Sequence, residues 1–148
     1  MQLKHQVFIE SPVSRVFSYM DDVSREREWQ PAIIEADKTP PGDTAVGTRK
    51  RYVSEFMGRR IENTYVTTVF EPNVGVSYET TPDSVLRAKV DLHFEPSGAG
   101  TRVTMAFEGK PTGPLRFIPK SVLESVYQKE FKSTLSLLKQ RLEGTVPG

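Results

Sequence analysis

The sequence predicts an α+β fold, a seven-stranded curved antiparallel sheet around a long C-terminal helix, with two short helices after the first strand. Three observations predict it. The middle of the chain is strand upon strand, separated by short breaks rich in Gly and Pro. Two brief helical patterns precede it and stop at Pro31. One long amphipathic pattern follows Gly109-Lys110-Pro111-Thr112-Gly113-Pro114, with Leu123, Tyr127, Phe131, Leu135, Leu138 and Leu142 on a single stripe. A chain of 148 residues with 36% hydrophobic content fits one domain over residues 1–148, able to bury a continuous core without disulfide or metal staples.

Each element has a local cause. Leu3 to Glu10 alternates enough for a first strand, and Ser11-Pro12 supplies an N-cap followed by proline at the first helical position, opening a helix over Val13 to Met20. Asp21 and Asp22 offer a second cap for a helix over Val23 to Trp29, which Pro31 prevents from continuing. Ile33 to Lys38 reads as a second strand, stopped by Pro40-Pro41-Gly42. Val46 to Met57, Arg60 to Phe70, Val74 to Thr81, Leu86 to Glu95 and Thr101 to Glu108 then form a meander of antiparallel neighbours. The clearest alternation sets Leu86, Ala88, Val90, Leu92 and Phe94 against Arg87, Lys89, Asp91, His93 and Glu95, and Val103, Met105 and Phe107 repeat it. The final helix, about 25 residues and so about 37 Å long at 1.5 Å rise per residue, is long enough to cross a small curved sheet. Gly144 ends it.

Composition excludes several classes. There is no cysteine, hence no thiolate nucleophile, disulfide or cysteine metal site. Lys and Arg number 20 against 19 Asp and Glu, a formal charge of +1, which is not the field a phosphate-backbone partner requires, so no nucleic acid is expected. The densest basic run, Arg49-Lys50-Arg51, with Arg59 and Arg60 across the Gly58 turn, reads as a solvated strand face. Two histidines, His5 and His93, lack neighbouring ligands and the His-Glu-X-X-His spacing, so no metal and no cofactor is expected. Nucleophile elbows and glycine-rich nucleotide loops are absent. No signal-like run opens the sequence and no stretch of 18 apolar residues occurs, so the expectation is a soluble cytoplasmic protein.

The element order, the opening Phe8-Ile9-Glu10-Ser11-Pro12-Val13-Ser14-Arg15-Val16-Phe17, the Asp22-to-Trp29-Gln30-Pro31 segment and the closing Thr134-Leu135-Ser136-Leu137-Leu138-Lys139-Gln140-Arg141-Leu142-Glu143 together resemble the polyketide cyclase/dehydrase and lipid-transport family of the START/Bet v1-like (SRPBCC) superfamily. The resemblance covers almost the whole chain. It implies a helix-grip fold, in which the sheet wraps the C-terminal helix and encloses an apolar cavity opening near the short helices and strand-connecting loops. It does not imply one reaction, because members of this kind include aromatic polyketide cyclases, lipid and hormone binders and quinone-binding proteins with no shared catalytic motif.

Candidate ligand-binding residues follow from position in the elements and not from a matched motif. Met105 shares the inward parity of Val103 and Phe107, and helical spacing puts Tyr127 and Phe131 on the apolar stripe. Trp29 either seals the core or lines the cavity mouth that the resemblance implies. Tyr52, Tyr65, Tyr78 and Lys50 are the polar strand candidates. If Val46, Thr48, Lys50, Tyr52, Ser54 and Phe56 share the inward face, Lys50 is buried and needs a partner; Val53 and Met57 argue for the opposite parity, and a bulge could change it midway. The tyrosines can bury their rings and still keep a hydroxyl contact. The catalytic residues are not identified by the sequence.

The expected partner is an apolar or aromatic small molecule, lipid- or polyketide-like. Two alternatives stand beside it: a cyclase or dehydratase working through polar cavity residues, and a ligand-independent homodimer formed through a sheet edge or the final helix. Arg116, Phe117, Ile118 and Pro119 form an apolar knuckle beside basic groups, where a peripheral membrane contact and a packed turn are both open readings.

Overall fold

The structure is a computed structural model and describes residues 1–144. Its elements run β1 (Gln2–Ile9), α1 (Val13–Asp21), a 3-10 turn (Val23–Arg25), α2 (Glu26–Trp29), β2 (Ile33–Thr39), β3 (Arg49–Phe56), β4 (Arg59–Glu71), β5 (Gly75–Thr80), β6 (Leu86–Ser97), β7 (Gly100–Pro111), a second 3-10 turn (Gly113–Phe117) and α3 (Lys120–Glu143). The seven strands make one sheet in the order β1-β7-β6-β5-β4-β3-β2, every neighbouring pair antiparallel. Consecutive strands from β2 to β7 are spatial neighbours, as short turns dictate, and β1 closes onto β7.

Several boundaries differ from the sequence expectation for identifiable reasons. The α1 N-cap is Pro12 rather than Ser11, and no side chain caps the helix. Ser11 is instead buried: its carbonyl accepts from the Thr101 hydroxyl at 2.8 Å and its Oγ from Arg15 at 3.1 Å. The second short helix divides into a 3-10 turn and α2, with the Asp22 side chain capping the former by accepting from the Ser24 N–H at 3.0 Å. β3 starts at Arg49, not Val46, because Gly47 at φ +94° and the Ala45–Thr48 turn break the extended chain and leave Val46 exposed. β6 and β7 run longer than expected, since only Gly98 and Ala99 separate Ser97 from its partner Gly100.

The core consists of two apolar clusters. One gathers α1, Trp29, β5 to β7 and the C-terminal half of α3 (Leu135, Leu138, Leu142); the other gathers Phe56, Ile61, Leu86, Phe107, Leu115, Leu123 and Tyr127. Tyr65, Val90 and Phe131 touch both. The end of α3 is fastened to the rest: Lys139 donates to the Phe8 carbonyl at 2.6 Å, Glu143 accepts from the Glu10 N–H at 2.9 Å, and Arg15 donates to the Leu142 carbonyl at 2.8 Å. These contacts fix the helix across the concave face of the sheet.

Candidate functional site

Strand parity decides what faces the helix. Along β3, Lys50 is 1% exposed, Phe56 is buried, and Tyr52 and Ser54 stand on the same face, so the even positions point inward. Of the two residues that argue for the opposite parity, Met57 lies outside the strand in a turn at φ +51° and is exposed, while Val53 is within the strand and is itself 1% exposed, so the other face of β3 is covered at that point too. Along β4 the odd positions Ile61, Asn63, Tyr65 and Thr67 point inward, until the register shift between Thr67 and Val69 changes the parity and brings Phe70 against the core. The flanking basic residues face outward: Arg51 bridges Asp37 and Glu62, and Arg60 pairs with Glu35.

Between the two apolar clusters lies a cavity of about 650 Å³. Its walls come from α2, β3 to β7 and the middle of α3. Trp29, Tyr52, Tyr65, Tyr78, Met105, Tyr127 and Phe131, all expected from the sequence, line it. Exposed Pro31, Glu55, Met57, Lys129 and Ser133 mark where it reaches the surface, between the α2–β2 connection, the β3–β4 hairpin and α3. The aromatic side chains form two groups. Tyr52, Tyr65 and Tyr78 follow one another at ring separations of 5.8 and 6.5 Å, and Tyr127 stacks against Phe56 at 4.9 Å and Phe107 at 5.6 Å.

Lys50 is not part of the wall. Its ammonium sits one hydrogen bond behind it, donating to the Tyr78 hydroxyl at 3.1 Å, to Asp21 Oδ1 at 2.9 Å and to the Asp21 carbonyl at 3.0 Å. All three ammonium donors therefore have partners, as a buried amine requires. The sequence reading missed the neighbouring carboxylate. Glu26, 2% exposed, lines the cavity and accepts from the Tyr52 hydroxyl at 3.1 Å and from the Gln30 amide. Burial pushes its carboxyl up to about 7, although the Lys50 charge and these two hydrogen bonds pull the other way.

The remaining polar wall is also shifted by desolvation. Burial holds the Tyr65 hydroxyl up to about 12, and raises Tyr52, Tyr78 and Tyr127, so the four tyrosines are neutral hydroxyls at neutral pH. Glu130, on α3, is raised by burial as well. The Trp29 indole N–H and the Thr67 hydroxyl are buried without a partner. His5 packs edge-on to Phe131 and His93 is exposed; among the described residues no three His, Cys, Asp or Glu side chains gather as a metal site would need. At the second 3-10 turn Leu115 is buried while Phe117 is 76% exposed under the Arg116 guanidinium. Among the described residues no helix is long and apolar enough to cross a membrane.

An antiparallel sheet wrapped on one long helix, with two short helices after the first strand and a cavity between, defines a helix-grip protein of the START/Bet v1 kind. Solved structures agree in fold. A Thermus thermophilus protein, TTHA0849, superposes with a TM-score of 0.82 at 19% identity, over 96% of this chain and 97% of its own. A START superfamily protein from Mycobacterium smegmatis gives 0.78 at 14% identity, over 96% and 97%. The Zhui aromatase/cyclase from Streptomyces sp. R1128 gives 0.75 at 14% identity, over 97% and 93%. No curated protein matches the sequence. The family described as polyketide cyclase / dehydrase and lipid transport matches residues 1–143, and the chain belongs to it.

Proposed function

We propose that the protein encloses an apolar or aromatic small molecule, lipid- or polyketide-like, in the cavity between the sheet and α3. The observation that carries this reading is a cavity of about 650 Å³ walled by aromatic and aliphatic side chains, with a few polar groups gathered near α2. That is the composition of small-molecule sites, where apolar burial supplies affinity at roughly 25 cal/mol per Å² and a few polar groups fix orientation. Mass spectrometry of material released from natively purified protein, with a binding screen of apolar compounds, tests it. Saturable binding lost in Phe131→Ala and Tyr65→Ala is expected; no saturable binding by any apolar compound counts against it.

One observation favours a second reading, cyclase or dehydratase chemistry: Glu26 stands in the cavity wall with its carboxyl poised near neutrality, where a group can both take and give a proton. Its two hydrogen-bonded neighbours would orient it, and the Tyr65 hydroxyl is a neutral donor for a developing enolate oxygen. Product distribution from a reactive polyketide chain, compared with and without the protein and with Glu26→Gln and Tyr65→Phe, tests it. An unchanged distribution on adding the intact protein removes the reading for that substrate.

A further inference from the structure

Three carboxylates line the cavity: Glu26 and Glu130 stand in its wall, while Glu55 is exposed at its mouth together with Lys129, and among the described residues no cationic side chain is bonded to Glu26 or Glu130. Glu26 is held by neutral donors, Tyr52 and Gln30. The ammonium nearest to it, Lys50, is already matched by Asp21 at 2.9 Å. With all three ionised, Lys50, Asp21 and Glu26 leave one negative charge uncompensated in a desolvated place. Glu130 adds a second from the opposite wall element, α3, where its neighbours are the neutral Tyr65 and Tyr127. Tyr78 completes the groups facing Glu26, and it too is neutral.

A buried anion without a partner either takes up a proton or attracts a cation. The faces of Tyr52 and Tyr65 carry negative electrostatic potential and also attract a cation, whereas the Tyr78 ring already has the Lys50 ammonium 5.2 Å from its centroid. A fatty-acid carboxylate would add to the charge imbalance, and a neutral polyketide would leave it unmatched. We propose that the cavity takes an organic cation, an ammonium carried on an apolar or aromatic body, with Glu26 as its counter-ion beside α2 and Glu130 as a second negative group in the wall. This names the ligand class for the binding reading above and rests on it.

Benzyltrimethylammonium and its neutral isostere neopentylbenzene separate the two. They share a shape, the charge of the first does not titrate, and Trp29 in the cavity wall is the sole tryptophan through which fluorescence reports binding. Because water favours the cation over the hydrocarbon, tighter binding of the cation needs compensation from the protein. The expected result is about tenfold tighter binding of the ammonium at about pH 8. That preference shrinks towards unity at about pH 5.5, where the Glu26 carboxyl, raised to about 7, becomes neutral. Glu26→Gln shrinks it at the higher pH and Glu130→Gln does so less, each read as the ratio of the two compounds' affinities on the same variant. If Glu26→Gln does not fold, the pH dependence of the unaltered protein and the Glu130→Gln variant carry the test. Neopentylbenzene binding as tightly as the ammonium overturns this inference and leaves the apolar cavity standing. A preference that neither pH nor either variant moves also overturns it. No saturable binding of either compound overturns this inference, and the binding reading falls with it when the wider screen of apolar compounds also finds none.

Discussion

Glu26 sits where its ionised form is disfavoured, 2% exposed and beside the Asp21 charge. Its carboxyl is raised from 4.5 to about 7, so the folded state binds that proton more tightly than the unfolded chain. The sign follows: the contribution is fully present below the unfolded value and is lost as pH rises through the folded one, a window from about 4.5 to 7. At 1.36 kcal/mol per pH unit the loss is about 3 kcal/mol. Urea denaturation across this window should therefore show Glu26→Gln gaining on the parent protein as pH rises; parallel pH curves for the two would contradict the buried, shifted carboxyl. Lys50 makes the complementary case. Lys50→Met leaves Asp21 without its cation, and since Asp21 keeps 19% exposure the cost should fall near the lower end of the range for broken buried pairs, about 3 kcal/mol. Adding Asp21→Asn should recover part of that loss, and a double variant no better than the single one would deny the pairing.

At the scale of elements, β7 can lie close against β1 because Gly100 has no side chain. A Cβ there would stand 2.6 Å from the Ile9 carbonyl oxygen and 2.5 Å from the Phe8 ring. The ring can swing away but the backbone oxygen cannot, so Gly100→Ala should cost on the order of 2 kcal/mol. Thermal unfolding within error of the parent would mean that the β1–β7 edge yields. The same elements show what could be read from the chain. β6 was legible because one of its faces is charged and the other apolar, giving a period of two, and β7 repeats the apolar set with Val103, Met105 and Phe107. β3 and β4 were not, because lysine, tyrosine, serine, asparagine and threonine stand on their inward face among the apolar residues, Val53 and Val66 stand on the other, and β4 shifts register at a bulge that no glycine or proline announces. Glu26 was missed for a similar reason. Ser24-Arg25-Glu26-Arg27-Glu28 has the composition of a solvated helix face, and only the arrival of β3 makes it otherwise. A signal was present, though: Glu26 lies three residues before Trp29 and four before Gln30, so once Trp29 is placed inward helical spacing carries Glu26 with it.

For the whole molecule, the cavity lies where two apolar clusters fail to merge. Leu138 and Leu142 anchor one end of α3 and Leu123 the other, and both ends are tied by side chains that are essentially fully buried. The helix cannot settle further onto the sheet without displacing those contacts, so its middle, from Val126 to Thr134, spans open space. Unfilled apolar space costs stability, because the atoms lining it lack packing partners. A ligand that fills it should stabilise the fold by mass action, by about 2.7 kcal/mol at a hundred times its dissociation constant. A side chain grown into the same space should do so without any ligand. Val90, half-buried on β6 and in contact with both clusters, is the place to grow one. Val90→Trp is expected to unfold no earlier than the parent protein, with a gain of up to about 1 kcal/mol. Its affinity for neopentylbenzene should fall at least about tenfold, because the indole occupies volume that a ligand needs. Undiminished affinity in a folded Val90→Trp would place the binding site outside this cavity. A loss of both stability and binding would mean that the space between α3 and the sheet is already packed as closely as the rest of the core.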